Sequence, residues 1–316
     1  MDRIGVALIA VVFLQLLVGY TVYAVVASAY GIHIGFFGFT PAGLAKTITA
    51  IKAAASHIPA AAGLGLLFAA AVADLLPFIL CARGVDVQPR HFFNRPKLSV
   101  GMIVVYGVTG LGVSMLASIF IKIVAGLLRL FRIGMLTPKF TIHWNSPVAA
   151  VSMILAAVIV APFAEEFVIR GVLLTVFRRF GNLFAIVASS LVWALLHGNF
   201  MQGVPVFFMG LFFGFIAVKS ESILPTIALH VLNNLLSVMG SSLVYLKSPI
   251  IIAFFALINI SVIIAAIPLF VVCFKSFLNL GGGDNRRGFK TFFTSVPMVL
   301  AVLLFLFLYV RSVRIL

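Results

Sequence analysis

The strongest constraint on this chain is a succession of apolar runs, each close to the length of a bilayer crossing. They cover about 4–28, 58–82, 100–127, 147–164, 182–197, 204–218, 223–245, 249–274 and 292–310. Roughly 20 apolar residues suffice to cross the hydrocarbon layer as a helix. Backbone in hydrocarbon must satisfy its own hydrogen bonds, so such runs form helices rather than loops or open sheets. The expected fold is all-α, a polytopic integral membrane protein of about eight transmembrane helices, within a range of seven to nine. The short runs 182–197 and 204–218, joined by 198–203 alone, set part of that range. Composition agrees: only 9% of residues are charged, against about a quarter in soluble domains.

The first run ends in Ala27-Ser28-Ala29, which looks like a signal-peptidase site. Its apolar core is longer than a signal peptide needs, so a retained anchor helix is expected. The net charge of +15 comes from 22 Lys and Arg spread over the connections between runs. This pattern suits lipid headgroups and gives no reason to expect nucleic acid. If the runs alternate, Arg83, Arg90, Arg95 and Lys97, the pair Arg178-Arg179, and Lys275, Arg286, Arg287 and Lys290 share one side. The positive-inside tendency marks that side as cytoplasmic, in the cytoplasmic membrane if the chain is bacterial. Lys122, Arg129, Arg132 and Lys139 then fall opposite. An in-plane segment around 120–135, or a miscounted span, would relieve the conflict. Cys81 and Cys273 read as apolar fillers without metal-site spacing.

Residues 31–57 suit an interfacial helix after Pro41, the connection 84–98 carries two prolines, and 281–285 is a flexible turn. Three segments are expected: 1–146 as N-terminal membrane helices with an interfacial part, 147–245 as the functional core, and 246–316 as C-terminal membrane helices. The core is singled out by its polar residues. Glu165 and Glu166 stand in Ala-Pro-Phe-Ala-Glu-Glu-Phe-Val-Ile-Arg-Gly, and ionisable groups in a membrane helix are costly and usually functional. At about 100° per residue the two glutamates point in different directions, whereas Glu166 and Arg170 share one face. Glu166 can thus be neutralised by Arg170, which leaves Glu165 free. Pro162 can bend the helix one turn earlier and admit water.

His197 ends the next apolar run, one turn after Trp193. His230 and Asn234 are four apart in the run after that. Singly, an ion pair fixing register and two packing histidines would explain these residues. Together they make a set that can activate water: a carboxylate as base, an imidazole to hold the water and pass on its proton, and an imidazole with an amide to stabilise an oxyanion.

Glu165-Glu166-x-x-x-Arg170 with Gly171, then Trp193-x-x-x-His197, then His230-x-x-x-Asn234, resemble the three motifs of the CAAX protease and bacteriocin-processing family, also called the Abi family. The likeness covers about 147–245. Trp193 departs from the usual Phe. The resemblance implies an all-helical intramembrane endopeptidase with its cavity reached from the cytoplasmic side. It also implies Glu165 as general base, His197 orienting the water, His230 and Asn234 forming the oxyanion site, and Glu166 with Arg170 as structural pair. Asn233 is the neighbouring competitor for the role of Asn234.

One Glu and two His make a three-ligand zinc set, but no His-Glu-x-x-His is present, and no metal or other cofactor is expected, zinc being the alternative. The expected partner is a membrane-associated peptide or lipidated protein within the lipid bilayer. Nothing in the sequence specifies an oligomeric state. A transporter or channel using the same polar residues, and a non-catalytic scaffold or immunity protein, are the competing classes.

Overall fold

In the computed structural model the described residues are 1–316 except 30–41, 44, 45, 48, 50–57, 86, 138–140, 247 and 281. The interfacial helix expected over 31–57 lies mostly outside them, as does Lys139. The apolar runs are helices: α1 (Asp2–Ser28), α2 (Pro59–Gly84), α3 (Val100–Leu130), α4 (Pro147–Phe180), α5 (Asn182–Leu196), α6 (Phe200–Ser220), α7 (Leu224–Leu246), α8 (Pro249–Leu278), α9 (Asn285–Thr294) and α10 (Val296–Arg311). Seven are long and apolar enough to cross a membrane, or eight if α9 and α10 count as one span. The all-α polytopic expectation therefore holds. The strands β1 (Ile133–Met135) and β2 (Val313–Ile315) pair antiparallel and tie the end of α3 to the end of α10.

Helix starts are written in the sequence. Ser146-Pro147 and Ser248-Pro249 open α4 and α8, with the serine oxygen accepting an amide hydrogen of the first turn and the proline sitting where no N–H is required. Asn199 caps α6 in the same way. The run 292–310 is not one straight span: the chain bends by 76° between α9 and α10. The basic residues Arg286, Arg287 and Lys290 lie exposed on α9, whose opposite face buries Phe292, the pattern of a helix lying at the membrane interface.

The short run 182–197 has a different use. At about 1.5 Å per residue, α5 falls short of the roughly 30 Å hydrocarbon layer. It buries Phe184, Ala185, Ile186, Ser189, Ser190 and Trp193 inside the bundle, against α6. No in-plane segment forms over 120–135, because α3 continues to Leu130 and carries Lys122 and Arg129 to the far end of the bundle.

The bundle has two ends. At the first, the connection 84–98 is fastened to the α6–α7 turn by Lys97 N–H on Ser220 O at 2.8 Å and Ile223 N–H on Phe92 O at 2.8 Å. Arg179 there donates to Val85 O. At the second, Tyr309 donates to Ala194 O, and Leu136 N–H bonds Ser312 O. Close helix approach relies on small residues. A Cβ on Gly63 of α2 would lie 2.9 Å from Ala149 O and clash with Ser152 of α4. Gly63→Leu is expected to lower the thermal midpoint in detergent clearly, whereas Gly19→Leu, with open space around it, leaves it near wild type.

Candidate active site

The site is built on α4, whose turns are not uniform. Ala156–Val160 and Phe167–Leu173 are wide π turns, and between them Ala161–Glu166 is ordinary α-helix. Pro162 accounts for the first of these. Ala161 N–H bonds Ala156 O, five residues back, and the next donor in that register would be residue 162, which has no N–H. Ala157 O is left over, and Asn234 Nδ2 of α7 donates to it at 2.8 Å. The expected bend is thus a widening, and it ties α7 to α4 one turn before the glutamates.

The two glutamates diverge. Glu166 is fully buried, with Oε1 2.8 Å from Arg170 Nη1 and 2.9 Å from His230 Nδ1. Arg170 is buried as well, its guanidinium 4.0 Å above the Trp193 ring centroid and 5.4 Å from that of Phe213. Glu165 keeps 27% side-chain exposure. Its Oε2 accepts the Trp193 indole N–H and lies 4.0 Å from His230 Nε2. Gly171 admits the Phe92 ring, which a Cβ there would meet at 2.5 Å, and Phe92 packs edge-on against Phe167.

The tautomers follow from the acceptors. His197 Nδ1 lies 2.9 Å from Trp193 O, and a carbonyl only accepts, so Nδ1 carries the proton and Nε2 is free. Glu166, as the carboxylate paired with Arg170, likewise places a proton on His230 Nδ1. His230 Nε2 is then a donor only when the ring holds both protons. Asn234 spends one amide hydrogen on Ala157, and its Oδ1 accepts from Asn233 Nδ2 at 3.1 Å.

A chamber of about 500 Å³ brings together Glu165, Trp193, His197, His230, Asn233 and Asn234. Glu166 and Arg170 stand behind it. On the other side of Glu165, Trp193 and His197 is a recess of about 170 Å³, which holds Asp74 and Gln15. Gln15 Nε2 donates to Asp74 Oδ1 at 2.8 Å. Asp74 was missed by the sequence reading, although an acid inside the run 58–82 was a visible signal. The site is not confined to 147–245, since α1, α2 and α3 also supply walls through Gln15, Asp74 and Ser114. Among the described residues no group of three or more His, Cys, Asp or Glu is placed to hold a metal ion.

These features define a polytopic helical membrane protein with a polar chamber inside its bundle. Residues 147–236 match the family model described as Type II CAAX prenyl endopeptidase Rce1-like. That is the family the three motifs resemble, and the match contains all of them, which supports a CAAX-type intramembrane protease and peptidase activity in general. No curated protein and no solved structure matches the chain.

One implied property, access from the cytoplasmic side, depends on which end of the bundle faces the cytoplasm. The chamber is lined by the first half of α4, the end of α5, the start of α6 and the later part of α7. It therefore lies toward the second end of the bundle, away from the basic connections 83–97, 178–179 and 275–290. Cytoplasmic basic connections and cytoplasmic access to the chamber are therefore alternatives, and the second end carries Lys122, Arg129, Arg132, Arg311 and Arg314 of its own. With Cys81 and Cys273 changed to Ala, Gln202→Cys at the chamber and Lys290→Cys on α9 are expected to react with a membrane-impermeant maleimide from opposite sides of sealed cells. The positive-inside tendency makes Gln202→Cys the one labelled from outside.

The buried pair gives a second expectation. Arg170→Met strands the Glu166 carboxylate and costs about 3–5 kcal/mol. Adding Glu166→Leu recovers much of the thermal stability, measured as the thermal midpoint in detergent.

Proposed function

We propose that the chain is an intramembrane endopeptidase that hydrolyses a peptide bond near the C-terminus of a prenylated or otherwise membrane-associated peptide, using water activated by Glu165. The observation that carries this reading is the separation of the glutamate doublet: Glu166 is buried on Arg170 and His230, while Glu165 is partly exposed at the wall of the polar chamber beside both histidines.

In this reading water lies between Glu165 and His197 Nε2. Glu165 takes one water proton as the oxygen attacks the scissile carbonyl carbon. The oxyanion accepts from the second amide hydrogen of Asn234 and from His230 Nε2 in its doubly protonated form, with Glu166 supporting the ring from behind. As the C–N bond breaks, the proton held by Glu165 passes to the leaving nitrogen, directly or through His197, and the products are a carboxylic acid and an amine. No step calls for a covalent enzyme intermediate or a metal ion.

Glu165→Gln keeps the shape of the side chain and removes the base, so cleavage is expected to fall by about 100-fold or more. The check compares new peptide termini in membranes carrying wild-type or Glu165→Gln protein, followed by assay of the purified protein on a peptide so identified. Unchanged cleavage by the folded variant removes the proposal. Lost ion or proton flux with no proteolysis in either protein would indicate a transporter. The same assay after exhaustive chelation is expected to retain activity, and loss restored by zinc would assign a metal-dependent step instead.

A further inference from the structure

We propose that Trp193 is a positioning residue whose indole N–H sets the orientation of the Glu165 carboxylate, an inference that rests on the reading of Glu165 as the base. The motif usually carries Phe at this position, and Phe supplies a ring but no donor. Here Trp193 is 1% exposed and donates through Nε1 to Glu165 Oε2. Indole nitrogen is a donor only, so the direction of this bond is fixed. Among the described residues it is the one side-chain hydrogen bond made to Glu165; His230 Nε2 stands off at 4.0 Å.

The ring is itself held on several sides. Arg170 covers one face at 4.0 Å, Phe213 is near-parallel with centroids 6.2 Å apart, and His230 meets it edge-on at 5.2 Å. Arg170 cannot shift freely, because it is committed to Glu166 at 2.8 Å. A chain of contacts therefore runs from the buried carboxylate Glu166 through Arg170 and the indole to the partly exposed carboxylate Glu165. Glu165 is at the end of a flexible side chain whose terminal torsion has broad, two-fold preferences. Anchoring Oε2 leaves Oε1 as the oxygen presented to water. The charged groups near Glu165 are Arg170 on its own helix and Asp74 across the recess, with the titratable His197 and His230 in the chamber.

Trp193→Phe isolates the donor, since it keeps an aromatic ring over Arg170 and installs the residue the motif usually has. The first arm uses no substrate. Trp144 is the other tryptophan, 49% exposed, so Trp144→Phe leaves Trp193 as the sole indole. Its N–H hydrogen-bond signature, by resonance Raman or by the 15N–1H signal in detergent, is expected to report a strong acceptor. Glu165→Ala is expected to abolish that signature and His197→Ala to retain it; a signature unaffected by Glu165→Ala overturns the proposal. The second arm is kinetic. Trp193→Phe is expected to lower kcat about tenfold with KM within about twofold, in a protein that remains folded at the assay temperature. Wild-type kcat in a folded Trp193→Phe protein, or a fall explained by lost thermal stability, counts against the proposal. If wild-type protein cleaves no peptide, the protease reading fails in that assay, and the spectroscopic arm still decides whether the indole holds Glu165.

Discussion

The buried contact of Arg170 with Glu166 is the interaction on which the site's geometry depends. Two charges removed from water inside an apolar bundle do not stabilise a fold by themselves, because desolvation offsets much of their attraction. What the pair supplies is arrangement. Glu166 accepts from both Arg170 and His230, so α4 and α7 are aligned through one carboxylate oxygen. The other side of Arg170 is an aromatic surface of Trp193 and Phe213, so α5 and α6 are drawn to the same guanidinium. Three helices meet at this buried cation, α7 joins them through Glu166, and the polar chamber opens next to it.

The same arrangement explains why adjacent carboxylates have different surroundings. One is fully covered and holds two partners; the other is 27% exposed and holds an indole N–H. A single residue step along a helix accomplishes this, since it turns the side chain by about 100°. The neighbouring helices then cover one direction and leave the other open.

Much of this was legible in the sequence for a specific reason: hydrocarbon admits few polar residues, so each one inside an apolar run stands out. The Glu166–Arg170 spacing alone put the two on one face, and they meet at 2.8 Å. Contacts between runs were not legible. The Glu166–His230 bond joins positions 64 apart, and the Trp193–Glu165 bond positions 28 apart; both depend on how helices rotate about their axes, which periodicity in an almost wholly apolar segment leaves open. The bend between α9 and α10 was missed although Ser295 and Pro297 mark a helix start inside the run 292–310. The basic loops suggested an orientation, but which end carries the chamber emerged only from helix directions.

Pro162 shows how local and long-range choices depend on each other. On sequence grounds it was expected to bend the helix and admit water, and in the fold the helix runs on through it. The missing N–H leaves Ala157 O without its partner in the wide turn, and an unpaired carbonyl inside a membrane bundle costs several kcal/mol. Asn234 supplies the missing donor from α7. Its neighbour on the same face, four residues earlier, is His230, which reaches Glu166. The two bonds from α7 are therefore made to two points of α4 on either side of Glu165, one created by a proline and one by an ion pair. A helix fixed at two such points cannot rotate without breaking one of them, and this is how His230 and Asn234 are brought to the same chamber as Glu165.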